Sequence, residues 1–500
     1  MLQSGIIIIK SISYLVLAMA KIRTPKETFT NQAIRDVVRQ FPSLDCLSPS
    51  EREELYNREQ RLVEFESKSR ISTQVVDYVA RWLSARPEFH ERDLLDFSGS
   101  TQRKYFFRDS WEGSSLIAVK EGEMPVSEGF RMLLCHADSP CLRIKPRPIK
   151  LEWGPDLIYN YLGVRLSAVA HGGISVHNWV GQQVKIVGYT DGKNSKRVET
   201  DIPGVVGDYS AHADYREEEE DRRFPPERSL EIITGFESVK KAIERLGFSS
   251  IDDFSQARLY AVPTNEPQLI DDDSWRLLVG YGHDDRVGVF SAVDALIKTR
   301  NPLYTSIVWI TGTEESGDNP PAGAGGHMLD LVLDHVLEKE RRRKKNKFSI
   351  TEAERRTMFL GSSMLIADVE ISPYGHDESS MDAQSAAKIG LGVAISSDER
   401  YSSHSAFVGG LRRLALQGEK RGRHLCHQMC GEFLSQDKED VAYHNLEGKE
   451  RLYGRIGSWA WVGPPCASAH SHNEIICPAD EFWTSRFYRR FLENRRGIES

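Results

Sequence analysis

The 500-residue sequence has no basic excess: 65 Lys and Arg against 73 Asp and Glu give a formal charge of −8. A protein that tracks phosphate backbones normally carries the opposite balance, which argues against nucleic acid as a partner. A disulfide framework is also missing. The seven cysteines are odd in number and scattered, which fits a reducing, cytoplasmic compartment. One local cluster, Cys426-His427-x-x-Cys430, resembles half a zinc site but has no second ligand pair nearby. Its plainer reading is two thiols and an imidazole on a partly buried helix. Long apolar runs are absent too. Gly5 to Ala20 is short for a membrane span, so no stable span is expected. It has the look of a signal-peptide core, yet no basic residue precedes it and Lys10 interrupts it. The expectation is an upstream start, with Met19 as the initiator and residues 1–26 as an extension. Export is the alternative if residues 1–20 are a genuine signal.

What is present is an ordinary globular composition, 40% apolar and 28% charged. The length exceeds what one hydrophobic core usually organises, so at least two domains are expected. Residues 27–85 read as helical, with Val75, Tyr78, Val79 and Trp82 at helical spacing. Strand-like runs follow at Tyr105–Phe107, Ser115–Val119 and Met132–Cys135. Turn chemistry such as Asp191-Gly192, after the alternating run Val184–Val187, marks a change of character near residue 150. An acidic run, Glu217 to Asp221, reads as a solvated loop. Val239, Ile243 and Leu246 then predict a helix stopping at Gly247. From about 255, β/α alternation resumes through Phe290–Leu296, Ile307–Ile310, Met364–Ala367 and the Trp483–Phe491 helix. The expected division is a catalytic domain of 27–149 and 255–500, interrupted by a β-rich insertion at 150–254.

Three apolar runs end on potential ligands: Cys135 into His136, Ile310 toward Glu314-Glu315, and Ala367 into Asp368. Sites in α/β sheets form where loops converge at the carboxyl ends of strands. Asp284 falls instead at a predicted helix N-terminus, where it can cap the helix or bind a metal. Each residue alone has a bland explanation; their joint occurrence at strand ends in one chain does not.

The order His-x-Asp, Asp, Glu-Glu, Asp, His resembles the co-catalytic zinc exopeptidases, and more narrowly the aspartyl aminopeptidase family. The matching segments are His136-Ala-Asp-Ser-Pro-Cys-Leu-Arg-Ile-Lys-Pro146, Asp284-Asp-Arg-Val, Glu314-Glu-Ser-Gly317, Glu399-Arg-Tyr401 and Ala469-His470-Ser-His-Asn-Glu474, with Gly172-Gly173 and Trp179 in the insertion. The resemblance implies a three-layer α/β/α zinc-exopeptidase-like catalytic domain and an inserted β-rich dimerisation domain. It further implies two divalent metal ions per chain, zinc being expected. His136 and Asp368 would hold one, Glu315 and His470 the other, with Asp284 bridging. Two cations ionise water near neutral pH. Glu314 would be the general base, and Asp138 would orient the His136 ring. Tyr401 and His212 would contact substrate, His212 from a neighbouring subunit. Peptides would be the substrates and a homo-oligomer, a dodecamer in the family, the working form.

Several positions depart from that pattern around substrate recognition. Ala394 stands where the family carries a lysine, which removes a cation for an Asp or Glu side chain. Asp368 is followed by Val-Glu-Ile, without the histidine the family places there. Gly181-Gln182 replaces an acidic-basic pair after Trp179. His472 lies beside His470, although motif register favours His470. Two other readings compete: a different di-zinc amide hydrolase, such as a carboxypeptidase or deacylase, and an inactive family member serving as a scaffold.

Overall fold

In the computed structural model, the described residues are 42–98, 101–149, 163–174, 176–190, 196–200, 204–207, 230–272, 275–318, 321, 323–343, 351–373, 385–398, 401–417, 425–431, 452 and 454–498. The expectations for residues 1–41, the acidic run, His212 and Glu399 therefore lie outside them.

The central layer grows from short runs too apolar to expose either face. Met132 to Cys135, Ile307 to Ile310 and Met364 to Ala367 are all buried, as a central strand covered on both sides requires. They form part of a nine-stranded sheet, in spatial order His90–Arg92, Lys104–Arg108, Leu116–Lys120, Thr305–Thr311, Phe130–His136, Ser363–Ile366, Ser458–Gly463, Val393–Ser396 and His427–Cys430. The four strands from Thr305–Thr311 to Ser458–Gly463 run parallel, so their carboxyl ends share one edge. One face packs Met132, Leu134, Ile307, Trp309, Met364 and Ile366 against helices Met328–Arg343 and Glu352–Leu360. The other is covered by helices His283–Lys298 and Pro478–Glu493, with helix Pro49–Lys68 outside them. Arg58 ties these three helices together, reaching Asp294 and Glu481 at 2.5 Å each. The result is the three-layer α/β/α arrangement the resemblance implied.

A second sheet contains seven antiparallel strands. Six of them, Cys141–Ile149, Arg165–His171, Glu231–Ile233, Gly204–Val206, Gln183–Tyr189 and Arg258–Pro263, pair in a closed circuit. Arg197–Glu199 pairs onto the Gln183–Tyr189 strand. Closure satisfies strand edges that an open sheet would leave unpaired. Trp179, Leu166, Val187, Ile232 and Ala261 lie in its core. This barrel draws strands from both sides of the 150–254 segment, which places its first strand directly after Pro140.

A five-stranded sheet joins the two: Gln268–Asp272, Trp275–Gly280, Glu474–Ile476, Pro465–Ala467 and Glu370–Ile371. The helix predicted to stop at Gly247 spans Val239–Arg245. Cys426-His427-x-x-Cys430 is not helical. His427–Cys430 is an edge strand of the large sheet, because its residues complete the ladder with Val393–Ser396.

Candidate metal centre

Each chemical group arrives at the carboxyl edge by a different local device. His136 is the last residue of its strand and pairs with Thr311. The Thr305–Thr311 strand then turns into a single 3-10 turn, Glu314–Ser316, closed by Gly317 in the left-handed region. Asp368 follows Ala367, whose amide bonds the Leu134 carbonyl at 2.6 Å. Asp284 starts the helix His283–Lys298, but Asp284 and Asp285 have non-helical dihedrals and are joined by a cis peptide bond. Gly288 lets this helix approach closely: a Cβ there would overlap the Ala367 carbonyl and the Asp285 carboxylate. That contact draws Asp284 to Asp368.

The distances define a compact cluster. His136 Nε2 lies 3.1 Å from Asp284 Oδ1, 3.4 Å from Asp368 Oδ1 and 3.9 Å from Glu314 Oε2. His470 Nε2 lies 3.2 Å from Asp284 Oδ2 and 3.6 Å from Glu315 Oε1. Asp284 thus presents one oxygen to each imidazole. Three overlapping groups have ligand atoms all within 4.8 Å: His136 with Asp284 and Asp368, Asp284 with Glu315 and His470, and His136 with Glu314 and Glu315.

Electrostatics explain why such a cluster suits a cation. Burial would depress both imidazoles, but Asp368 and Glu314 raise His136, and Glu315 and Asp284 raise His470, well above their ordinary values. Burial and the Asp284 and Glu314 charges push Glu315 well up, outweighing the attraction of His470. Asp284 is driven the other way: burial would raise it, yet bonds from His136 and His470 hold it far below the usual carboxylate range. Four carboxylates against two imidazoles leave an uncompensated negative charge in a buried site. Glu315 Oε1 is buried without a hydrogen-bond donor. Imidazole nitrogen and carboxylate oxygen are the donors a zinc ion accepts, so these residues fit such an ion.

The surrounding polar shell holds the cluster. Asp138 accepts hydrogen bonds from the amides of Glu314 at 3.1 Å and Glu315 at 3.2 Å, and lies 3.1 Å from His171 Nε2. Its carboxylate is 3.7 Å from His136 Nδ1, whose shorter contact, 3.0 Å, is the Asp138 backbone carbonyl. Burial would raise Asp138, but bonds from His136 and His171 keep it well below its ordinary value. His470 Nδ1 is 2.7 Å from the Gly173 carbonyl.

Sequence reasoning missed His171 and Glu474. Glu474 accepts from the His470 amide at 2.8 Å and the Asp284 amide at 3.0 Å. It thereby fixes the left-handed His470 backbone, φ +64°. Burial and the Asp284 charge push Glu474 up to about 7. Its place in the quoted Ala469–Glu474 segment was the available signal; for His171 the signal was a strand ending before Gly-Gly. His472 belongs to none of the clusters among the described residues, and its carbonyl accepts from Asn265 at 2.9 Å. Tyr401 packs edge-on against Trp461, with ring centroids 5.3 Å apart. The Cys426–Cys430 group also forms no metal cluster among the described residues. Cys426 Sγ contacts the Leu391 carbonyl instead, at 3.4 Å.

A three-layer α/β fold with imidazoles and carboxylates gathered at the ends of its parallel strands defines a metal-dependent hydrolase. The profile of the aminopeptidase I zinc metalloprotease (M18) family matches residues 65–428. The chain belongs to that family and is a metallo-aminopeptidase. An M18 family aminopeptidase 1 of Borreliella afzelii is 22% identical over 486 residues, 89% of this chain and 98% of that protein. An M18 aminopeptidase structure from Thermotoga maritima aligns with a TM-score of 0.72 at 21% identity, covering 88% of this chain and 97% of its own. The mApe1 dodecamer of S. cerevisiae aligns at 0.66 and 17%, covering 88% and 97%. At these identities the structures establish a shared fold. His470 lies beyond the matched profile, so its place in the cluster rests on geometry.

Proposed function

We propose that the chain removes N-terminal residues from peptides using two zinc ions. His136 and Asp368 would hold one, Glu315 and His470 the other, and Asp284 would bridge them. The observation that carries this reading is the single Asp284 carboxylate spanning two imidazoles, each with a further carboxylate beside it. Bound zinc supplies Lewis acidity, lowering the pKa of water and stabilising negative charge on the cleaved carbonyl.

The chain's own residues supply the rest. Glu314 Oε2 faces the cluster without belonging to the bridged set, so it accepts the proton of the attacking water and returns it to the leaving amine. Asp138 sets the turn bearing both glutamates through their amides. Membership of the M18 aminopeptidase family favours an aminopeptidase over a carboxypeptidase or deacylase. Ala394 is fully buried beside Ala387 and Cys430, so this position provides no cation for an acidic side chain. We therefore assign no fixed Asp or Glu preference. We assign a homo-oligomer to the chain by likeness to the mApe1 dodecamer, with the barrel as its assembly element by the family resemblance.

Metal analysis and kinetics of Glu314→Gln and Glu315→Gln test the proposal. Glu314→Gln should keep two metals per chain and lose about 10²–10⁴-fold in turnover. Glu315→Gln should lose metal as well as turnover. Normal turnover in Glu314→Gln removes it from the mechanism, and cleavage of N-acylated dipeptides alone refutes aminopeptidase action. A scan of aminoacyl substrates would reveal the residue preference.

A further inference from the structure

At the opposite edge of the large sheet lies a cavity of about 970 Å³. Lys120, on its wall, pairs with Ser306 near the amino end of the Thr305–Thr311 strand, whereas the metal centre lies beyond its carboxyl end. That strand separates the two by about 20 Å at ~3.3 Å per residue.

The cavity lining holds eleven Lys and Arg side chains and four Asp and Glu, an excess of seven positive charges in a chain of net charge −8. Part of this excess is structural. The carboxyl ends of helices Ser72–Ser84, His283–Lys298, Ser405–Leu416 and Pro478–Glu493 converge there. Lys120 donates to the Leu296, Ile297 and Thr299 carbonyls, and Arg490 to those of Leu414, Ala415 and Gln417. Four helix ends at about half a negative charge each neutralise roughly two of the seven. Carboxylates outside the lining absorb three more: Glu481 on Arg58, Glu51 on Arg486 and Glu123 on Arg495. All four acids are engaged, Glu54 by Lys298 and Arg486, Glu88 by Lys104, Asp294 by Arg58 and Glu493 by Arg489. Arg61, Arg86 and Arg300 line the cavity with no carboxylate partner among the described residues. Among the described residues, Arg61 meets the faces of Trp82 and Phe290, at 4.9 and 5.6 Å.

We infer that this cavity binds a compact, phosphate-bearing small molecule. Its volume lies within the usual small-ligand range. The unpaired guanidinium forks of Arg61, Arg86 and Arg300 match phosphate oxygens bidentately, and about two residual positive charges call for an anion of matching charge. The site is separate from the proposed metal ligands, so its occupancy can be measured without reference to hydrolysis.

The test is calorimetric titration of the intact metal-loaded protein with inorganic tripolyphosphate, against citrate and a short polyglutamate peptide at matched ionic strength. Arg86→Gln and Arg300→Gln are run in parallel, with metal content measured before and after. Tripolyphosphate should bind saturably, once per chain, more tightly than either carboxylate probe. Each substitution should weaken binding about tenfold, as loss of one charge-assisted hydrogen bond would, while basal hydrolysis and metal content stay unchanged. Absent saturable binding, equal affinity in the variants, or heat accounted for by metal release overturns the proposal. Tighter binding of polyglutamate overturns the ligand class and points to an acidic protein segment instead.

Discussion

Replacing Asp138 by asparagine separates its role in holding the Glu314-Glu315 turn from any role in binding metal. One carboxylate oxygen accepts the Glu314 amide, and the other accepts the Glu315 amide and faces His171 Nε2. An asparagine side chain keeps the shape but presents an N–H where one oxygen was. In its better orientation it opposes the Glu314 amide, losing one charge-assisted hydrogen bond and leaving a donor unsatisfied. Together these cost about 2–5 kcal/mol. At 1.4 kcal/mol per tenfold, with part of the loss relieved by movement of the turn, kcat/KM should fall about 10²–10³-fold. The assay is hydrolysis of an aminoacyl anilide by Asp138→Asn, with metal content and thermal unfolding measured on the same preparation. Metal should be largely retained, because none of the five proposed ligands is removed. A kcat/KM within threefold of the parent would refute the argument that this carboxylate sets the turn. Equal loss of metal and activity would assign Asp138 to metal retention instead.

Two other perturbations probe the barrel contact and the helical layer. Gly172 has φ +77°, and a Cβ there would stand 2.7 Å from Glu315 Oε2. Gly172→Ala should therefore weaken metal binding about 10–100-fold, read by competition with a chromogenic chelator, and an unchanged affinity would show that the strand end does not bear on Glu315. Glu51 closes the capping box of helix Pro49–Lys68 with Ser48 and contacts Arg486 at 2.6 Å. Partial burial would raise its carboxyl, but the Ser48 bonds and Arg486 bring it down to about 2. Because the folded value is depressed, the stabilisation is fully present above about pH 4.5 and is lost as pH falls toward 2. Urea unfolding should show Glu51→Gln destabilised by about 1 kcal/mol at neutral pH, with the gap closing over that window; a constant gap would point to lost packing.

Much of the scaffold was legible because periodicity reports burial directly. The Met132–Cys135, Ile307–Ile310 and Met364–Ala367 runs appear as strands, since uninterrupted apolar residues must be covered on both faces. The residues ending them could be read as neighbours because parallel strands deliver their carboxyl ends to one edge. The His470–Asp284 contact depended on the five-stranded sheet, whose strands come from three distant parts of the chain. His171 and Glu474 were invisible as site residues for the same reason: their partners are fixed by tertiary pairing, not by spacing. The Cys426–Cys430 helix failed because five residues with two thiols carry no period. Ladder completion with Val393–Ser396 decided their conformation.

The strand Arg165–His171 has a consequence for how this molecule can change. It begins in the barrel wall and ends by placing His171 on Asp138, Gly172 against Glu315 and the Gly173 carbonyl on His470. The insertion is thus an integral wall of the metal centre and not a detachable module. Excising it, or exchanging it for a relative's barrel, would remove three neighbours of the cluster at one stroke. Any force that shifts the barrel, including contact with another copy, reaches Glu315 and His470 through one short length of backbone.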